Sequence, residues 1–122
     1  MDELIDQLAA KAGIDKAVAG KTVGAILGFL RKEGPADKVQ ALIDQIPGAE
    51  AAIAAAGTGN GGLAGMLGGG IMALGAKLMG FGLGMSDIQG VSRELFKFGR
   101  DKIGADGMSA IISETPGLSQ FA

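Results

Sequence analysis

An all-α fold follows from three features of the sequence. No segment alternates apolar and polar residues with period two, so no half-buried strand is signalled. Alanine and glycine dominate, while the β-branched and aromatic residues that favour strands are sparse. Apolar residues instead recur at three- and four-residue spacing, the period of a helix with one buried face. Together these predict a helical bundle of about seven or eight short helices, in a single domain over residues 1–122.

Asp2 is placed to cap a first helix over residues 3–12, whose stripe is Leu4, Ile5, Leu8, Ala9 and Ala12. Gly13 suits the left-handed residue that ends it. Asp15 is placed to cap a second helix, 16–33, with Ala19, Val23, Ile26, Leu27 and Leu30 on one face. Arg31 and Lys32 sit near its C-terminus, where the helix dipole favours cations. Gly34-Pro35 stops that helix and opens the next, 36–46, striped by Val39, Leu42, Ile43 and Ile46. Pro47 breaks the pattern and leads into a short alanine-rich helix, 48–56, with Ile53 as its only large apolar residue.

A glycine-rich stretch from Gly57 to Gly84 follows, and Lys77 is its only charge. Placed on a helix over residues 62–81, Leu63, Leu67, Ile71, Leu74, Leu78 and Phe81 share one face. Gly65, Gly69, Ala73, Ala76 and Gly80 share the opposite one. A helix with bulk on one side and a smooth surface on the other allows close backbone approach along the smooth side. Each interior glycine costs about 1 kcal/mol relative to alanine, so packing has to hold such a helix together. The expectation is a central helix wrapped by the others or by a second subunit, with Met66, Met72, Met79 and Met85 filling gaps in the core.

Beyond Gly84, Ser86-Asp87-Ile88-Gln89 has the form of a capping box. It predicts a helix over 87–102 with Ile88, Val91, Leu95 and Phe98 inward. A further helix, 107–114, carries Met108, Ile111 and Ile112, and Thr115-Pro116 opens a last turn.

The two flanks resemble each other. At a shift of 69 residues Phe29 meets Phe98, Arg31 meets Arg100, Asp37 meets Asp106, and Pro47-Gly48 meets Pro116-Gly117. No gap is needed from Ile26 to Gly48. This predicts two copies of a helix-turn-helix unit, about 15–56 and about 86–121, each burying its stripe against the glycine-rich helix between them.

Composition narrows the chemistry. There is no cysteine and no histidine, so thiol chemistry and the commonest general base and metal ligand are missing. Tyrosine and tryptophan are absent and the net charge is −2, which argues against a nucleic-acid partner. The carboxylates are spread along helix surfaces with no spacing that predicts an acid–base dyad or a metal site. Gly57–Gly62 satisfies the letters of a dinucleotide fingerprint, but that motif needs a strand before it. A hinge is the simpler reading. No catalytic residue, cofactor or metal is expected, and the acidic start MDELIDQ does not read as a signal peptide. A cytoplasmic location is the expectation.

The run Gly28-Phe29-Leu30-Arg31-Lys32-Glu33-Gly34-Pro35, the turn Ile46-Pro47-Gly48-Ala49-Glu50 and the glycine-rich middle carry a resemblance. The chain resembles small helical bacterial proteins of uncharacterised domain families. The resemblance implies a helical bacterial protein and brings no catalytic residues.

The favoured expectation is a non-enzymatic assembly protein. It would form a homo-oligomer through the face of Gly65, Gly69, Ala73, Ala76 and Gly80. The alternatives are a membrane-associated glycine zipper using the same helix, and a carrier whose Leu/Met face lines a cavity for an apolar ligand or lipid.

Overall fold

The computed structural model describes residues 2–58 and 70–115, with side chains for 3–54 and 74–115. The described residues form seven α-helices and no strand. They are α1 (Asp2–Ala12), α2 (Lys16–Glu33), α3 (Ala36–Asp44), α4 (Ala49–Thr58), α5 (Gly70–Gly80), α6 (Met85–Ile103) and α7 (Ala105–Glu114).

Local signals place most of the boundaries. Gly13, at φ +69°, lets the chain turn left-handed after α1, and the Ile14 N–H donates back to Ala9 O over 3.1 Å. Asp15 holds the cap position of α2 with extended backbone, although its side chain makes no capping hydrogen bond. The Gly34 N–H closes α2 on Leu30 O at 2.7 Å, and Pro35 precedes α3. α3 is shorter than the 36–46 its stripe suggested. Gln45 and Ile46 donate to carbonyls only three residues back, so the chain tightens into a turn ahead of Pro47. α4 runs on through Gly57 and Thr58, into what was read as linker.

The capping box lies two residues ahead of its expected place. Gly84 is the cap residue of α6 and Ser86 is already inside the helix, exposed. Asp87 Oδ2 accepts from the Gly84 N–H at 3.2 Å, so the back-reaching half of the box is supplied by aspartate rather than Gln89. Glycine has no side chain to supply the other half. Thr115 ends α7, its buried hydroxyl donating to Ile111 O at 2.6 Å, and the last turn expected from Pro116 lies outside the described residues.

Within this all-α bundle, the middle of the described residues is held by α2. It packs against α1, α3, α4, α5 and α6. Burial extends well past the expected stripe, to Thr22, Gly24, Ala25 and Phe29. The glycine-rich α5 instead lies against α2 and α6. The physical reason is side-chain area. α2 buries residues on several sides, whereas Leu74 and Leu78 are the buried residues among the side chains described on α5. Phe81 is half-buried. Residues 59–69, with Leu63 and Leu67, lie outside the described residues.

The core joins Leu4 and Leu8 of α1, Val23, Ile26, Leu27 and Leu30 of α2, Val39 and Leu42 of α3, and Ile88, Val91, Leu95 and Phe96 of α6. Burying each such side chain contributes roughly 1.5–3 kcal/mol. Phe98, expected inside, is half-buried with Lys102 Nζ 5.2 Å from its ring centre, and Phe96 takes the core position.

Helix starts among the described residues match at the 69-residue shift. The shift maps Lys16 and Ala36, which open α2 and α3, onto Met85 and Ala105, which open α6 and α7. Every buried position from Met85 to Thr115 has a buried counterpart 69 residues earlier, as Ile88 has Ala19, Gly99 has Leu30 and Met108 has Val39. Thr115 itself packs into the α2–α3 turn: a Cβ added at Gly34 would lie 2.6 Å from its hydroxyl.

Candidate association face

Of the five residues assigned to a smooth association face, three fall on α5. Ala76 and Gly80 are exposed, and the Ala73 side chain lies outside the described residues. Gly65 and Gly69 lie outside them altogether. Around the helix, Ala76 and Gly80 point away from Leu74 and Leu78, which hold α5 to the bundle. Among the described residues, a Cβ built on Gly80, on this arc, or on Gly75, off to its side, would meet nothing within 4 Å.

Two methionines join the arc. Met79 is 52% exposed and Met85, just past the turn that ends α5, is 54% exposed. They are the large apolar side chains most open to solvent among the described residues. Their expected role as core filler is therefore not what the structure shows. The turn between them is tight: Phe81 and Leu83 both donate to Leu78 O, at 3.0 and 3.4 Å, and Gly82 takes φ +97°. This geometry leaves Leu83 buried and both methionines outside. Lys77, on the same helix, is half-buried.

A true close approach of smooth helices occurs elsewhere, between α2 and α4. Gly20, Gly24 and Gly28 recur every four residues along one side of α2. A Cβ on Gly24 would collide with the backbone carbonyl of Ala52, and one on Gly28 would come within 3.3 Å of Ile53 Cγ2. The Arg31 guanidinium clamps the C-terminal end of this contact. Its Nη1 donates to both carboxylate oxygens of Glu50, at 2.9 Å to Oε2. Sequence reasoning had assigned the small-xxx-small signal to the glycine-rich middle. The same spacing is present in Gly20-Gly24-Gly28, of which Gly24 and Gly28 face α4 while Gly20 faces Ile5 of α1.

The charged groups are dispersed. Lys16 pairs with Asp6 at 3.0 Å and Lys38 with Glu114 at 3.6 Å, tying α1 to α2 and α3 to α7 across exposed surface. Among the described residues no three acidic side chains are grouped to hold a metal ion. No described helix is long and apolar enough to cross a membrane. Arg93, Lys97 and Arg100 are exposed along one side of α6, with no carboxylate within 4.0 Å of them among the described residues. No protein-family model matches the chain, and no curated protein or solved structure matches it either.

Proposed function

We propose that this chain is a non-enzymatic assembly module whose copies associate through the outward arc of α5. One observation carries the reading. α5 is anchored by Leu74 and Leu78 yet turns Ala76, Met79 and Gly80 outward, with Met85 across the turn. Apolar surface left open beside small residues suits a partner helix: the small residues admit its backbone and the flexible thioethers fill the gaps. On this reading the face continues into Ala73, Gly69 and Gly65. The proposal includes a cytoplasmic location and kinship with small bacterial helical proteins, the latter supported by the Ile46-Pro47-Gly48-Ala49-Glu50 turn. It also takes residues 16–46 and 85–115 as copies of one unit, supported by their matched helix starts and matched burial.

The test is the solution mass by light scattering in detergent-free buffer. A discrete dimer or higher oligomer is expected for the native chain. An Ala76→Glu, Met79→Glu double variant should be a monomer of unchanged helix content, since both sites are exposed. A monomeric native chain at high concentration overturns the proposal.

A further inference from the structure

We propose that the Arg93, Lys97 and Arg100 stripe of α6 is a docking site for an acidic helix of a partner protein, seated on α6 as α4 is seated on α2. The 69-residue register puts Arg93 in the place of Gly24, Lys97 in that of Gly28 and Arg100 in that of Arg31. In the first unit those three positions are the seat of α4. Gly24 and Gly28 meet Ala52 and Ile53, and Arg31 grips Glu50. Among the described residues, no helix covers the equivalent side of the second unit. All three cations are exposed and none has an ion partner among the described residues.

The exchange of two glycines for two long cations changes what the seat accepts. α4 needs backbone contact, which Arg93 and Lys97 prevent. Their side chains hold an occupant further off and favour carboxylates on it. The stripe recurs at four and three residues, within about 60° of one side of the helix, so carboxylates at the same spacing on a second helix can face all three. Arg100, the counterpart of Arg31, repeats a carboxylate contact this chain already makes. A lipid surface is disfavoured because the arc of Ser86, Gln89, Arg93, Lys97 and Arg100 carries no apolar side chain to enter it. Nucleic acid is disfavoured by the net charge of −2 and the lack of tyrosine and tryptophan.

The test titrates the full chain with a labelled synthetic helical peptide bearing glutamate at matching spacing, and with a twin bearing glutamine. Fluorescence anisotropy should show the glutamate peptide binding about tenfold or more tightly than the twin, with affinity falling as salt rises. An R93Q/K97Q/R100Q variant should lose about tenfold in affinity at unchanged helix content. Amide shifts in the native chain should concentrate on residues 86–100. Equal affinity for the two peptides, or unchanged binding by the triple variant, overturns the proposal. So does tighter binding of phosphatidylglycerol vesicles or duplex DNA through the same cations. A fall in oligomer mass in the triple variant also overturns it, by showing the stripe to be a contact between copies. The α5 face is tested by different residues, so either proposal can fail without the other.

Discussion

Replacing Gly24 with alanine sets two effects of opposite sign against each other. Alanine improves helix propensity by about 1 kcal/mol in a helix interior. At Gly24, however, the new methyl would run into the Ala52 carbonyl, and backbone cannot swing aside as a side chain can. α4 would have to move out as a unit, loosening its contact with α2 and the grip of Arg31 on Glu50. Overpacking of this kind costs about 1–3 kcal/mol, and loss of the helix contact adds to it. The net expectation is destabilisation of about 1–2 kcal/mol, or about 3–8 °C in Tm for a chain of this size. Two further glycines calibrate the result. At Gly28 the methyl meets the Ile53 Cγ2 at 3.3 Å, a side-chain end that can yield, so propensity and crowding should nearly cancel. At Gly90 on α6 nothing lies within 4 Å, so alanine should stabilise by about 0.5–1 kcal/mol. Urea unfolding followed by far-UV circular dichroism measures all three, since the chain has no tryptophan or tyrosine to report by fluorescence. If Gly24→Ala is as stabilising as Gly90→Ala, α4 does not lie against α2 as described and the reasoning fails.

Gly104 joins α6 to α7 at φ +89°, ψ +157°, a conformation that only glycine adopts readily. Gly104→Ala should therefore cost about 1–3 kcal/mol in a urea melt although no neighbour lies within 4 Å of the added methyl; a neutral result would place the joint in another conformation. Leu78 is 1% exposed and anchors α5, so Leu78→Ala should cost about 2–5 kcal/mol. It should also raise amide hydrogen exchange in α5 before the rest of the bundle, and uniform exchange would show that α5 unfolds only with the whole.

The sequence was legible where the chain carries local punctuation. Gly13, Asp15, Gly34 and Pro35 are backbone instructions, and they place α1, α2 and α3 to within two residues of the structure. Pattern alone did less well. The stripe of Ala19, Val23, Ile26, Leu27 and Leu30 marks one buried side of α2 correctly, but burial of Gly24 and Phe29 depends on which helices arrive opposite them. Periodicity does not encode that. The position of the centre misled for a related reason. A long apolar stretch looks like a core, yet glycine contributes no side-chain area, so the glycine-rich helix attracts fewer neighbours than its hydropathy suggests. Met79 and Met85 show the same gap between composition and placement, since apolar character does not specify which face a tight turn leaves outside. Of the five residues expected on a smooth face, Ala76 and Gly80 are exposed, and Gly65, Gly69 and the Ala73 side chain lie outside the described residues. The matched positions at a 69-residue shift are read from residue identities, and the buried positions of the described residues match at the same shift.

Glycine has opposite physical consequences in two helices of this chain, and the contrast bears on what α5 is for. In α2, Gly24 and Gly28 lose helix propensity but admit α4, and the contact offsets the loss. In α5, Gly75 loses the same propensity with nothing within 4 Å to benefit from its missing Cβ. In an isolated chain, alanine there should stabilise by about 0.5–1 kcal/mol, and a serine or leucine should be tolerated because no described residue lies within 4 Å of the added Cβ. If copies associate through α5 with backbones in close approach, the same substitutions act in the other direction on the assembly, because the added atoms would occupy the partner's place. Gly75→Ala and Gly75→Leu, compared by urea melt at low concentration and by light-scattering mass at high concentration, separate the two effects. Rising stability of the monomer with graded loss of oligomer, greater for leucine than for alanine, is the pattern a close approach at Gly75 requires. Rising stability with unchanged mass would show that Gly75 admits no neighbouring copy, and any close approach would have to lie on the Ala76 and Gly80 side of the helix.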